Sequence, residues 1–208
     1  RLALAMCGPR ELPAWQGYDS AGMDFFDLKG LLFALFEALH LPDLRTEPAE
    51  HPTFHPGKCA RLFSGDTALG VMGELHPLVR EHYELPASAL LAADLDLPAI
   101  MACAPSRYPV QSTPAYPPVL EDLAVIVDED LPAERVEAVI RQAGGKALVG
   151  VRLFDLFRGG QIGAGKKSLA YSLSYQSSDK TLTDEEAAKI RQRIIRAIEK
   201  DLGAKIRS

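Results

Sequence analysis

Hydrophobic and polar positions alternate along several stretches of this chain. Leu2, Leu4 and Met6 are each separated by one residue in the opening run RLALAMCG, which is the period of a β-strand. A stricter alternation runs from Ser168 to Gln176, where large apolar side chains take every second position. These positions are Leu169, Tyr171, Leu173 and Tyr175. Both stretches therefore predict strands with one buried face.

The second half of the chain predicts a complete order of helices and strands. Thr183 and Glu186 form a capping box, and apolar residues then recur at helical spacing until Gly203. An earlier helix opens at Asp130-Leu-Pro132 and stops at Gly144-Gly145. The predicted elements are a strand over 123–127, the helix that Gly144 ends, strands over 149–157 and 168–176, the helix from Thr183, and a short strand over 204–207. This βαββαβ order predicts a ferredoxin-like fold with both helices on one side of an antiparallel sheet.

The other side of that sheet, which we call the open face, is predicted to be small and polar. If the large apolar residues of the third strand face the helices, then Ser168, Ala170, Ser172 and Ser174 lie on the open face. In the second strand, Asp155 is a poor candidate for burial without a partner. Strict alternation then places Asp155 and Phe157 on the open face with Val151 and Leu153, and turns Arg152, Phe154 and Leu156 toward the helices.

An exposed aromatic ring beside a carboxylate suits an unstacked nucleobase. The ring of Phe157 can stack on the base, and Asp155 can accept a hydrogen bond from an exocyclic amine or a guanine edge. The alternative is that Phe157 only covers the sheet edge. The pattern leaves both interpretations open.

The stretch 159–176 nearly matches a phosphate-binding loop. Gly160, Gly165 and Lys166 fit the first part of G-x-x-x-x-G-K-[ST], but the last position is Lys167. A phosphate-binding loop leads into a helix, whereas the residues that follow here alternate as a strand. We therefore predict that the glycines turn a hairpin between the second and third strands.

Composition and charge divide the 208 residues into two parts. Apolar residues make up 47% of the chain, which is enough for packed cores, and no run of 18 apolar residues is present. Residues 1–106 carry a net charge of −7, and residues 107–208 carry +2. Five prolines lie between these parts and predict an extended connector. They are Pro105, Pro109, Pro114, Pro117 and Pro118.

Three further features concern the cellular location, the start of the chain and a candidate metal site. Cys7, Cys59 and Cys103 are odd in number and widely spaced, so we expect no disulfide framework and a cytoplasmic location. The chain begins without a Met or a signal pattern, in what reads as a strand already under way, and we infer a piece of a longer polypeptide. We expect no metal site at His51, His55 and Cys59, because Pro52 and Pro56 interrupt their helical spacing.

Several motifs together resemble one protein family. The run VRLFDLFRGGQIGAGKKSLAYSLSYQSSDKTLTDEE (151–186) resembles the C-terminal ferredoxin-fold anticodon-binding domain of the bacterial phenylalanyl-tRNA synthetase beta subunit. MDFFDLKG, HPGKCA, GVMGELHP and LLAADLDL resemble successive segments of the non-catalytic, catalytic-like domain of that subunit. The resemblance covers essentially the whole chain.

The resemblance implies a fold class and a domain organisation. The fold would be α+β, with part of a class II synthetase-like antiparallel sheet domain at 1–104, a proline-rich linker at 105–118 and a ferredoxin-like anticodon-binding domain at 119–208. The family further implies an alpha subunit, a second beta subunit in an (αβ)₂ tetramer and the tRNA anticodon stem-loop as partners, with no membrane. ATP and Mg would act in the whole enzyme, with the ATP site in alpha, and this fragment would have no catalytic residue, cofactor or metal of its own.

The resemblance also implies RNA contacts. Asp155, Phe157, Ser168 and Ala124 match the family's anticodon contacts, and the open face adds Ala170 and Ser172. The family commonly has Tyr where Phe157 stands and Arg where Glu121 stands, so a phosphate contact near Glu121 is in doubt.

Two other surfaces and one rival function complete the expectations. The apolar helix over Phe25–Leu39 is predicted to be buried, in part by the alpha subunit. A basic stripe on the last helix, formed by Lys189, Arg193, Arg196 and Lys200, is expected to be a solvated face rather than a second RNA surface. The rival function is that of a regulatory ferredoxin-like module that binds a small ligand between copies of itself.

Overall fold

The chain folds as two compact units, residues 1–110 (unit 1) and 111–208 (unit 2). A computed structural model describes residues 1–86, 88–107 and 113–207. Pro109 of the predicted linker lies outside the described residues, and the bounds of that linker stay a prediction.

Unit 1 is an antiparallel sheet with helices. Its elements are β1 (Leu2–Cys7), α1 (Phe25–Ala38), β2 (Leu44–Pro48), β3 (Phe54–Ser64), β4 (Thr67–Leu75), α2 (Pro77–His82), β5 (Leu90–Leu95) and α3 (Leu97–Cys103). Within the described residues the five strands pair in the order β1-β5-β4-β3-β2, each pair antiparallel. The predicted antiparallel sheet is therefore confirmed.

One face of the unit 1 sheet packs against α1. Leu28, Leu32 and Phe36 recur at helical spacing on α1, are fully buried, and contact the sheet residues Leu62 and Met72. The partly buried residues Leu2, Leu4 and Met6 join the same core, as their alternation predicts. The predicted burial of α1 holds for one side only, since Phe26 is 72% exposed and Leu31 is 48% exposed.

The other face of the unit 1 sheet has a small core of its own, centred on Phe54. The Phe54 ring packs with Cys59 and Leu75. It also lies directly over Gly73, where a Cβ atom would come within 2.9 Å of the ring. Gly73 therefore leaves the space that lets Phe54 cover the middle of this face.

Unit 2 has the predicted βαββαβ order. Its elements are β6 (Val119–Asp128), α4 (Ala133–Gly144), β7 (Leu148–Phe157), β8 (Lys166–Tyr175), α5 (Asp184–Leu202) and β9 (Lys205–Ile206). In the described part of unit 2 the strands pair in the order β7-β8-β6-β9, all antiparallel, which confirms the ferredoxin-like fold. The first strand is longer than its apolar run of 123–127 predicted, and Pro132 is the N-cap of α4 rather than a residue of its first turn.

Both helices of unit 2 pack on one side of its sheet. The fully buried side chains of β8 are those predicted from the alternation, and they share one core with β6, α4 and α5. The Tyr171 hydroxyl donates to the Ala133 carbonyl oxygen at 3.0 Å, which satisfies the polar end of a buried ring. Burial raises the pKa of Tyr171, with a further contribution from the charge of Glu137.

The ends of α5 follow the sequence signals. Thr183 is the N-cap, and both halves of its capping box with Glu186 are formed. Gly203 ends the helix at φ 60°, a left-handed conformation that glycine adopts without steric cost.

Arg193 on α5 ties the two helices together. Its Nη2 donates to the Gly144 carbonyl oxygen at 2.7 Å, and its Nε donates to the Ala143 carbonyl oxygen. These carbonyls end α4 and have no partner within that helix. Arg193 is exposed, as expected for the basic stripe, but it also caps the C-terminus of α4, a role that the sequence did not indicate.

Candidate nucleic-acid interface

The glycine-rich stretch forms the predicted hairpin. A single 3₁₀ turn at Gly160–Ile162 connects β7 to β8, and β8 begins at Lys166 without an intervening helix. Lys167 is 8% exposed, and its Nζ donates to the Glu129 carbonyl oxygen at 2.6 Å. Lys166, which matched the lysine of the phosphate-loop motif, pairs with Asp128, so both lysines of this stretch have structural partners at the end of the sheet.

The register of β6, β7 and β8 defines the open face. Residues directly opposite each other in an antiparallel pair point to the same side of the sheet. Ala170 on β8 lies opposite Ala124 on β6 and Asp155 on β7. Ser168 lies opposite Ile126 and Phe157. Because Leu169 and Tyr171 face the helices, both of these rows lie on the open face.

Strand β7 keeps Asp155 and Phe157 on the open face by a β-bulge. Leu153 pairs with Tyr171, and Asp155 pairs with Ala170, so Phe154 is an extra residue between them. Arg152 pairs with Ser172 and therefore lies on the open face, whereas Leu153 lies on the helix side. The predicted positions of Asp155 and Phe157 are confirmed, but the strict alternation that grouped them with Leu153 is wrong.

All six residues predicted as RNA contacts lie on this face. Ala124, Ala170 and Asp155 form one row across the sheet. Ser168 and Phe157 belong to the next row, and Ser172 lies in the row on the other side, opposite Arg152. Asp155 is exposed, while Ala124, Ala170 and Ser172 are partly buried. The structure therefore brings the six together on one surface of small, polar and aromatic side chains.

The Phe157 ring has two close neighbours that the sequence did not indicate. The Arg207 guanidinium lies over the ring, with Cζ 5.0 Å from the centroid. Gly159 lies at the tip of the ring, where a Cβ atom would come within 2.6 Å of Cζ. Ser168, opposite Phe157, is only 3% exposed. Phe157 is therefore partly buried rather than fully presented to solvent.

Basic side chains surround the open face. Lys205 pairs with Ile126, which places it on this face, and the Arg207 backbone N–H donates to the Ala124 carbonyl oxygen at 2.9 Å. A signal for them existed in the sequence, since the basic residues Lys205 and Arg207 lie on both sides of Ile206. Their position beside Phe157 depends on the sheet order, which the local pattern does not contain.

Ion pairs fix the end of the face near the hairpin. Arg158 donates to the Glu129 carboxylate at 2.7 Å and lowers the pKa of that carboxyl. Lys166 pairs with Asp128, the residue opposite it on β6. These charges are partnered, so the groups best placed to contact a ligand are Asp155, Phe157 and the basic residues of β9.

Glu121 does not belong to this face. It pairs with Leu173, which places it on the helix side, and its carboxylate lies 3.9 Å from Arg191 of α5. Burial and the nearby charge of Glu121 raise the pKa of Tyr175 to about 12. The departure from the family pattern at Glu121 therefore concerns the core edge rather than the open face.

The described residues show neither a metal cluster nor a helix that could span a membrane. Residues 1–86, 88–107 and 113–207 contain no cluster of three or more His, Cys, Asp or Glu side chains that could hold a metal ion. The helices in those ranges are too short or too polar to cross a membrane.

Two family models match this chain. Residues 114–207, which include the whole open face, match the ferredoxin-fold anticodon binding domain. Residues 1–97 match the phenylalanyl tRNA synthetase beta chain CLM domain. Together the matches cover most of both compact units.

Bacterial relatives agree with the family models. The chain is 42% identical over 207 residues to the phenylalanine–tRNA ligase beta subunit of Symbiobacterium thermophilum, covering 100% of this chain and 23% of the relative. It is 43% identical over 198 residues to that of Moorella thermoacetica, covering 94% and 24%, respectively. It is 35% identical over 208 residues to that of Lactiplantibacillus plantarum, covering 99% and 26%. The chain thus spans about a quarter of the length of these curated relatives.

Family membership follows from the agreement of fold, order and sequence. The CLM-domain match falls on the five-stranded unit 1, and the anticodon-binding-domain match falls on the ferredoxin-like unit 2. The chain belongs to the phenylalanyl-tRNA synthetase beta chain family.

Proposed function

We propose that this chain contributes tRNA anticodon binding and subunit assembly to a phenylalanine–tRNA ligase, which charges tRNA with phenylalanine at the expense of ATP. The observation that carries the proposal is the open face of unit 2, where Phe157, Asp155 and Ser168 meet within the anticodon-binding-domain match. ATP and Mg would act in the whole enzyme, with the ATP site in an alpha subunit, and the location would be the cytoplasm.

The open face offers the chemistry that a single-stranded anticodon needs. Unstacked bases bind to aromatic rings, and their edges are read by hydrogen-bonding groups. Phe157 is the aromatic residue of the face, and Asp155 is two residues away on the same side of β7. A carboxylate near phosphates is repelled, so Asp155 would discriminate among bases rather than attract RNA.

Stem-loop binding tests the anticodon proposal. Base–aromatic stacking is worth roughly 1–3 kcal/mol, so Phe157→Ala should weaken binding of the anticodon stem-loop of phenylalanine tRNA by about tenfold or more. Phe154→Ala is the matched control, because Phe154 is 49% exposed on the same strand but has no directly opposite residue on β8. Asp155→Ala should relax the preference among anticodon bases. All affinities are measured at one salt concentration.

The result that contradicts this assignment is equally specific. If Phe154→Ala weakens binding and Phe157→Ala does not, the stacking residue is wrong. If the wild-type chain binds the stem-loop no better than an unrelated hairpin, the anticodon proposal fails.

Exposed apolar residues of α1 are the proposed contact with the alpha subunit. Phe26 and Leu31 are exposed on the two flanks of the buried stripe, and exposed apolar side chains of this kind are typical of a protein interface. Phe26→Glu should reduce co-purification with alpha and self-association of the chain. Leu78→Glu on α2 is the control, because Leu78 is also an exposed apolar residue, at 66%. A Phe26→Glu chain that assembles with alpha as the wild type does would contradict this contact.

The chain alone should not activate phenylalanine. The glycine-rich stretch of the chain leads into the strand β8 rather than into a helix, so it does not form the phosphate-binding loop that it nearly matches. We therefore expect no phenylalanine-dependent ATP–pyrophosphate exchange by the purified chain. Exchange in a clean preparation would overturn the assignment of the chemistry to alpha.

The rival function, a regulatory ferredoxin-like module, predicts a different result. Such a module would dimerise through a sheet edge, bind a small ligand and have no tRNA partner. Stem-loop binding that depends on Phe157 separates the two.

A further inference from the structure

Arg207 and Phe157 reach over the open face from opposite edges of the unit 2 sheet. Phe157 lies on β7 and Arg207 follows β9, with β8 and β6 between these edge strands. The guanidinium nevertheless lies 5.0 Å from the ring centroid. The backbone of Arg207 is held to β6 by its hydrogen bond to Ala124. The two side chains therefore bridge the central strands, and we call this contact the clasp.

The clasp lies at the end of the open face where Ser168 is buried. Ser168 lies opposite Phe157 on a face that has no helix over it, yet it is 3% exposed. Ser172, two pairs further along the same face of β8, remains partly exposed. The end of the open face that holds Phe157 and Ser168 is thus closed in the free chain.

A guanidinium and a nucleobase compete for the same surface of an aromatic ring. Both are flat, and both stack on it. We propose that Arg207 is a specificity-determining residue of the open face, whose guanidinium occupies the Phe157 ring in the free chain and is displaced by an unstacked base of single-stranded RNA. This inference rests on the proposed function, since it takes the stem-loop as the ligand.

Displacement has a cost and a selective effect. A base must replace the contact that Arg207 makes, so the clasp lowers the affinity for every stacking ligand. A ligand without a planar ring cannot replace that contact, so its affinity is lowered more than that of a stacking ligand. The displaced Arg207 stays attached beside Ala124, where its charge still attracts the RNA backbone.

The chain offers a matched pair of variants. Lys205 and Arg207 are both exposed, both belong to the last strand segment, and Lys205 lies on the open face through its pairing with Ile126. Lys205→Ala and Arg207→Ala each remove one positive charge. Of the two, Arg207 is the residue that contacts the Phe157 ring. Comparing the variants therefore separates the clasp from general charge attraction.

Stem-loop affinity is the first measurement. Arg207→Ala should bind the anticodon stem-loop about two- to fivefold more tightly than Lys205→Ala, which is the factor expected for an exposed cation–π contact. If Arg207→Ala binds the stem-loop as well as Lys205→Ala does, or more weakly, the proposed role of Arg207 is wrong. The proposed function still holds in that case, provided that binding depends on Phe157. If the wild type does not bind the stem-loop, both the proposed function and the displacement of Arg207 by a base are wrong.

Chemical labelling tests the clasp without RNA. In a Ser168→Cys background, alkylation of the new thiol is followed by peptide mass spectrometry, which separates it from the three native cysteines. Arg207→Ala should speed this labelling about two- to fivefold, and Lys205→Ala should leave it unchanged. Equal rates in the two variants would show that Arg207 does not cover the site.

Discussion

Loss of the Arg193 side chain should measurably reduce the stability of unit 2. Its guanidinium donates to the carbonyl oxygens of Ala143 and Gly144, the last two residues before α4 ends. Arg193→Ala removes both donors and a positive charge beside the negative end of the helix dipole. The perturbation therefore acts on the α4–α5 contact and leaves the open face untouched.

The expected cost is set by the hydrogen bonds and reduced by solvent. A hydrogen bond to a charged group contributes about 1.5–3 kcal/mol net, and favourable charge at a helix end adds about 0.3–1 kcal/mol. Arg193 is exposed, so water can reach the vacated carbonyls and recover much of this. We expect a loss of about 1–2 kcal/mol in the free energy of unfolding. Arg193→Lys should lose about half as much free energy of unfolding, because an ammonium group keeps the positive charge but cannot reproduce the two guanidinium hydrogen bonds.

The assay must report on unit 2 alone. The chain has one tryptophan, Trp15, which lies in unit 1, so its fluorescence does not follow unit 2. Hydrogen exchange of the β8 amides reports on the unfolding of unit 2, because β8 is a central strand of its sheet. A loss of 1–2 kcal/mol corresponds to about 5- to 30-fold faster exchange of the slowest amides. Arg196→Ala, on an exposed position of the same helix, is the control. If the two alanine variants exchange at the same rate, the capping role of Arg193 is refuted.

Three further predictions concern unit 2. Gly144→Ala should destabilise it by about 1–3 kcal/mol, since the new Cβ would lie 2.3 Å from Leu148 Cδ2. Adding Leu148→Ala should relieve part of this loss. Urea unfolding of the single and double variants measures both effects. Lys167→Met should lower the free energy of unfolding by about 1–2 kcal/mol, because the Glu129 carbonyl oxygen loses its donor. ATP should shift the thermal midpoint of neither the wild type nor this variant. A shift in the wild type would show that Lys167 binds phosphate. The free energy of unfolding should fall as pH rises from 10 to about 12, because Tyr175 ionises near pH 10 in the unfolded chain but only near pH 12 in the fold. Tyr175→Phe should therefore weaken the dependence of the urea midpoint on pH over this range.

Most of the unit 2 fold could be predicted because its signals are local. The alternation around Tyr171, the capping box at Thr183 and the stop at Gly203 each depend on residues within one element. The hairpin between β7 and β8 could also be predicted, because a strand pattern after a glycine-rich turn excludes the helix that a phosphate loop needs. These signals survive because the tertiary structure reinforces them.

The parts that could not be predicted depend on contacts between distant residues. The clasp joins Arg207 to Phe157, and the cap joins Arg193 to Gly144, and neither pair has a sequence signature. The bulge at Phe154 is a further example, since a strand of mixed side chains does not show where an extra residue is accommodated. The exposed side of α1 was predicted to be apolar, but its extent became clear only from the packing of the opposite side.

The bulge at Phe154 has a consequence for how related chains are aligned. A β7 strand that lacked this residue could pair with β8 without interruption, with Leu153 still opposite Tyr171 and Asp155 still opposite Ala170. The Phe157 ring and the Asp155 carboxylate would keep their side of the sheet although the strand is one residue shorter. A length difference between relatives is therefore best placed at Phe154. A gap placed between Asp155 and Phe157 would instead equate side chains that point in opposite directions, and would make a retained site look lost.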